Sequence, residues 1–82
     1  MRKIRLSPIE REILWTLKET GEENPHVLKA TVEIGAKDFS EINFSRALKN
    51  LLQKECIRIE SNNDKENNSV ILTGTGKLLL TI

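Results

Sequence analysis

The chain has 82 residues, 38% hydrophobic and 30% charged, the composition of one small globular domain whose core is at the low end of what folds without staples. No apolar run approaches the ~20 residues that span a bilayer, and the start MRKIRLSPIE lacks the apolar stretch of a secretory signal. One cysteine and one histidine supply neither an internal disulfide nor the usual zinc patterns, so a cytoplasmic protein without metal, cofactor or membrane association is expected. The formal net charge of +1 confines any nucleic-acid footprint to a local surface. Arg2, Lys3 and Arg5 put +3 into residues 1–6, whereas Glu22, Glu23, Glu33 and Asp38 outweigh Lys29 and Lys37 by two charges in residues 21–40.

The first helix start is Leu6-Ser7-Pro8-Ile9-Glu10. Ser7 caps the orphan amides, Pro8 takes the first helical position, where no donor is lost, and Glu10 completes a capping box. Ile9, Ile13 and Leu17, with Leu14, form the stripe that this helix buries before it ends near Thr20 and Gly21. Trp15 points away from the stripe and is left for the C-terminal segment or a partner subunit to cover. A second start follows at Asn24-Pro25; Val27 and Leu28 are offered to the core, with Val32 or Ile34 as further candidates, and Gly35 ends the helix. His26, in the first turn with no Asp or Cys close in sequence, reads as a surface residue.

After a turn from Ala36 to Phe39, Ser40 caps a third helix reaching Lys54, and Glu41 complements its dipole. Phe44, Ala47, Leu48, Leu51 and Leu52 recur at the spacing of one buried face. The opposite face carries Ile42, Arg46, Lys49 and Gln53, flanked by Asn43, Ser45 and Asn50. Such a polar, mildly basic, hydrogen-bonding face suits a DNA major groove, where arginine pairs with guanine and asparagine or glutamine with adenine. Taken by itself, this face reads more readily as an ordinary solvated surface than as a DNA-reading one.

Beyond Lys54 the period changes from helical to alternating. Cys56-Ile57-Arg58-Ile59-Glu60 and Ser69-Val70-Ile71-Leu72 read as strands, and the wholly polar SNNDKENNS between them as a long hairpin loop. Cys56 reads as a small buried hydrophobe. Thr73-Gly-Thr-Gly-Lys-Leu-Leu-Leu reads as a cap and a short helix; it is no phosphate loop, because Leu78 stands where the Walker pattern needs Ser or Thr. The sequence predicts a mainly α, α+β fold: a three-helix core, a two-stranded β-hairpin and a short C-terminal helix.

In this order of elements, and in LSPIEREIL, NFSRALKNLLQKECIRI and LTGTGKLLL, the chain resembles the winged helix-turn-helix domains of bacterial and archaeal transcription regulators, most closely the MarR-like group. A Leu-Thr-x-x-Gly segment commonly follows the second wing strand in such families, and Leu72, Thr73 and Gly76 stand in those places. The resemblance implies a single winged-helix domain over 1–82, with a basic arm at 1–6, a recognition helix at 40–54 and a wing at 57–73. It implies a sequence-specific DNA-binding transcriptional regulator whose partner is double-stranded DNA. Ile42, Asn43, Ser45 and Arg46 would face the groove, Lys49, Gln53 and Lys54 would lie further along the helix, and Lys65 would reach DNA from the wing. A homodimer would form through helix one and the C-terminal segment.

The sequence departs from the family pattern in four places. The turn from Gly35 to Ser40 is longer than usual, Cys56 stands where glycine is common, Lys65 sits between Asp64 and Glu66 in place of a basic wing tip, and the dimerisation helices flanking such domains are nearly absent. The acidic second-helix region and the near-neutral wing keep open a winged-helix module that binds protein instead of DNA. No paired carboxylates, nucleophile with a base, or phosphate cradle points to an enzyme.

Overall fold

In the computed structural model, which describes residues 6–61 and 68–80, helices occupy the segments that the caps delimit. Helix α1 (Pro8–Thr20) opens on the full capping box: Ser7 Oγ accepts the Glu10 N–H at 3.2 Å, and Glu10 Oε1 accepts the Ser7 N–H at 3.2 Å. It closes on Gly21, whose φ of 83° suits glycine and whose N–H donates to the Leu17 carbonyl at 2.7 Å. Ile9, Ile13, Leu14 and Leu17 are buried, so the stripe read from the sequence is the one that packs. Trp15 lies outside it, 42% exposed, with the Lys18 ammonium 4.8 Å from its ring centroid.

Glu22–Glu23 then forms a two-residue strand, β1, absent from the sequence reading. Two glutamates carry no β signal; what makes them a strand is the backbone of a later segment. Strand β3 (Asn68–Leu72) pairs antiparallel with β1 on one side and with β2 (Ile57–Ser61) on the other, giving a three-stranded sheet of order β1-β3-β2. The expected hairpin is therefore present and carries one further strand.

Helix α2 (Pro25–Gly35) is capped by Asn24, whose Oδ1 accepts the His26 N–H at 2.8 Å. Its core residues are Leu28 and Val32, one turn apart; Val27 is 49% and Ile34 90% exposed, so both point outward. His26 is exposed. Helix α3 (Glu41–Gln53) starts at Ser40, whose Oγ accepts the Asn43 N–H at 3.0 Å. Phe44, Ala47 and Leu51 are buried, Leu48 is half-buried against them, and Leu52 is 38% exposed. At about 100° per residue, Leu52 lies roughly 100° from the centre of the Phe44–Ala47–Leu51 stripe, so it forms the rim of the core and not its interior.

Where α3 meets β2 the structure accounts for Cys56 in a place that favours glycine. The Glu55 N–H donates to the Leu52 carbonyl at 3.0 Å and the Cys56 N–H to the Leu51 carbonyl at 2.9 Å, the paired bonds of a Schellman cap. The left-handed residue of that cap is Glu55, with φ of 60°, leaving Cys56 free to be a buried hydrophobe. Helix α4 (Gly74–Leu80) docks on this corner. Thr73 Oγ1 donates to the Glu55 carbonyl at 2.6 Å and accepts the Gly76 N–H at 3.2 Å. A Cβ on Gly76 would overlap the Cys56 carbonyl and stand 2.5 Å from Leu72 Cδ1. The Leu-Thr-x-x-Gly segment thus has a physical reason: threonine ties the helix start to the corner, and glycine lets the backbones touch. One continuous core joins α1, α2, α3 and the sheet.

Candidate nucleic-acid interface

Burial of Phe44, Ala47 and Leu51 turns the opposite face of α3 to solvent. There Ile42, Ser45, Arg46 and Lys49, with Glu41 at the helix start, line one shallow depression of about 370 Å³. Ile42 is 67% exposed, an apolar contact beside two cations. Among the described residues neither Arg46 nor Lys49 forms an ion pair. A planar guanidinium with free donors and a mobile ammonium one turn further on can respectively grip a base edge and a phosphate.

The other site residues read from the sequence separate from this group. Asn43 is exposed, but its side-chain amide donates to the Asp38 carbonyl at 2.9 Å, which spends it on fixing the long turn between α2 and α3. Gln53 is exposed at the last turn of α3 and does not line the depression. Lys54 turns back to α1: its Nζ is 3.7 Å from Glu10 Oε2, a buried carboxylate oxygen with no hydrogen-bond partner. Glu10 thereby caps α1 with one oxygen and holds the end of α3 with the other. Lys65, and Arg2, Lys3 and Arg5 of the basic arm, lie outside the described residues.

One neighbour of the site escaped the sequence reading. Lys29 Nζ of α2 lies 2.8 Å from Glu41 Oε1 of α3. This hydrogen bond, with the ammonium charge behind it, holds the Glu41 carboxyl below its usual range. It braces the α2–α3 angle and offsets the one negative charge at the edge of the exposed face. Behind the site, burial pushes the Cys56 thiol up, against the opposing pull of Lys54 and with a small further push from Glu10; it packs as a protonated, apolar group. Among the described residues no group of His, Cys, Asp or Glu is placed to hold a metal ion, and no helix is long and apolar enough to cross a membrane.

Three helices on a small antiparallel sheet, the third with an outward polar face and running into a β2–β3 hairpin, define a winged helix-turn-helix fold. The same fold is found in a MarR-family transcriptional regulator from Silicibacter pomeroyi, with a TM-score of 0.77 and 22% identity over 93% of this chain and 48% of that one. The chain thus spans about half the length of that regulator, and the likeness is one of fold. No family model and no curated protein matches the sequence.

Proposed function

We propose that this chain is a sequence-specific DNA-binding regulator of transcription, acting in the cytoplasm and reading the major groove with α3. The observation that carries the reading is the distribution of cations around that helix. Lys29 and Lys54 are held by carboxylates, while Arg46 and Lys49 stand unpaired beside Ile42 and Ser45 on the outer face. Arg46 reads a base, Lys49 holds a phosphate, and Ile42 and Ser45 supply an apolar contact and a short donor or acceptor. Asn43 positions the helix through the turn. Gln53 adds a contact at the periphery, Lys65 and the cations of the 1–6 arm add positive charge for the phosphates, and Lys54 contributes least because Glu10 already engages it.

A homodimer through α1 and the C-terminal segment, where Trp15 and Leu78 remain exposed, would set two reading helices on one duplex. A module that binds protein instead rests on the exposure of Val27 and Ile34 on α2 and on the acidic residues Glu22, Glu23 and Glu33 in the same stretch of sequence. Selection of duplexes from a random pool separates the two. A regulator enriches a motif whose affinity falls on Arg46→Ala, whereas a protein-binding module yields only weak binding that does not depend on Arg46.

A further inference from the structure

Strand β2 forms one edge of the sheet: it pairs with β3 and, among the described residues, with nothing else. Which of its backbone groups face outward follows from the ladder. The register sets Ile57 opposite Leu72 and Arg58 opposite Ile71, so Cys56 stands opposite Thr73, and the Thr73 N–H donates to the Cys56 carbonyl at 3.1 Å. Bonded and non-bonded pairs alternate in an antiparallel ladder. Arg58 and Glu60 therefore direct their N–H and C=O groups at β3, and Ile57, Ile59 and Ser61 direct theirs away from it. The side chains alternate too. Ile57 is buried and Ile59, on the same face, is 38% exposed; Arg58 and Glu60 share the other face, joined by an ion pair of 2.9 Å with both side chains more than half exposed.

We propose that this edge pairs antiparallel with β2 of a second copy of the chain, about a two-fold axis at Ile59. That register sets Ile57 opposite Ser61 and Ile59 opposite itself, and these are the residues whose backbone groups face outward. It places Arg58 opposite Glu60 of the second copy, and Glu60 opposite its Arg58, at the non-bonded positions where side chains approach most closely. Each charge exchanges its own strand's partner for an equivalent one, so none is left unpaired. Ile59 is covered by its symmetry mate. Charge also selects the register: a slip of the pairing toward Arg58 sets arginine against arginine, and a slip toward Glu60 sets glutamate against glutamate. An edge strand bearing charges ordinarily repels a neighbour; this order of charges, read antiparallel, attracts its own copy. The contact is distinct from the α1 and C-terminal surface and does not depend on DNA binding. A contact made by one five-residue strand of each copy falls in the class of small, transient interfaces, so association is expected in the micromolar to millimolar range.

Sedimentation of the wild type, Arg58→Glu, Glu60→Arg and an equimolar mixture of the two variants, between about 10 μM and 1 mM, tests it. One association step is expected in the wild type, weakened about tenfold or more in each variant alone by like charges set opposite each other. The mixture recovers that step, because the two acids of one variant then face the two bases of the other. In the wild type, the outward amides of Ile59 and Ser61 gain exchange protection as concentration rises, while that of Arg58, already bonded to β3, changes little. A wild type monomeric throughout overturns the proposal. So does association that ignores both substitutions, or that is lost on Trp15→Ser and not restored by the charge mixture, or outward amides whose exchange is independent of concentration.

Discussion

Replacing Lys54 with alanine separates the role its sequence position implies from the one its contacts give it. The ammonium is 3.7 Å from Glu10 Oε2, with side-chain exposures of 39% for Lys54 and 8% for Glu10. At that separation, and with an effective dielectric of ~20, the raw Coulomb attraction is about 4 kcal/mol. The lysine end is more than a third exposed, so solvent screening and the cost of desolvating both groups remove most of it. About 1–2 kcal/mol should remain, above a surface pair because truncation leaves a buried carboxylate oxygen uncompensated. Urea denaturation should therefore show Lys54→Ala destabilised by about that amount, and Lys49→Ala, with no partner, changed by less than about 0.5 kcal/mol. A double-mutant cycle with Glu10→Gln should return a coupling of about 1 kcal/mol. In DNA titrations at several salt concentrations Lys54→Ala should leave the slope unchanged. A stability loss below about 0.5 kcal/mol, together with a slope lower by about one unit, would show that the side chain serves a phosphate and refute its assignment to the α1–α3 junction.

On the reading face, Arg46→Ala should cost about 1–3 kcal/mol on a selected site and relax preference at one base, while Lys49→Ala weakens all duplexes alike and lowers the salt slope by about one unit; equal effects on every sequence would remove Arg46 from base reading. Glu55→Gly should stabilise the protein by about 0.5–1 kcal/mol, the left-handed penalty of about 1–2 kcal/mol less the extra chain entropy of glycine, and Glu55→Ala, which keeps a Cβ, should not; equal denaturation midpoints for the two variants would contradict the strain at φ 60°. Gly76→Ala should cost about 1–3 kcal/mol because the methyl meets the Cys56 carbonyl, whereas Gly74→Ala, with nothing within 4 Å, should not; a Gly76→Ala variant of wild-type stability would show that α4 does not dock this closely. The Glu41 carboxyl titrates below its usual range because Lys29 holds it, so the pair's contribution is complete above the unfolded carboxylate pKa of about 4.3 and is lost as pH falls through the lower folded value. NMR titration should place the Glu41 midpoint below that of Lys29→Ala protein, and coincident midpoints would exclude the bond in solution.

The features legible in the sequence are those whose causes lie within one turn or one strand. Ser7, Asn24 and Ser40 mark helix starts because a cap acts over two or three residues, and the change of period at Cys56 marks the strands because side-chain alternation is local. Strand β1 was invisible because Glu22 and Glu23 acquire strand geometry only from Val70 and Ile71, which lie far along the chain. The outward turn of Val27 and Ile34 was equally hidden: four large apolar residues on α2, Val27, Leu28, Val32 and Ile34, compete for the core, and only the position of α1 and the sheet decides that Leu28 and Val32 enter it. The candidate site divides the same way. The exposed face of α3 follows from its buried stripe, but the pairing of Lys29 with Glu41 and of Lys54 with Glu10 joins residues on different helices, and no spacing rule carries that information.

Those two pairings bear on how a chain of net charge +1 could read a polyanion. They hold two of the four cations on or beside α3, leaving Arg46 and Lys49 as the described charges free to meet DNA there. Each phosphate neutralised contributes only about 0.9 to the salt slope, so one copy reading through α3 alone would bind weakly and with shallow salt dependence. Linking a second copy on the same duplex makes the second binding event intramolecular, at an effective concentration near millimolar, which raises avidity about 10²–10⁴-fold without a new contact to DNA. If α3 reads DNA as proposed, so few free cations would make self-association the step that sets affinity, and the concentration at which copies pair should govern the concentration at which a site is occupied. Variants at Arg58 or Glu60, exposed on the sheet and outside the α3 face, would then shift site occupancy in the order in which they weaken association. Occupancy that is unchanged in the single variants, while their association is weakened, would show that pairing through β2 does not set affinity, and that one copy, or two joined through α1 and the C-terminal segment, suffices.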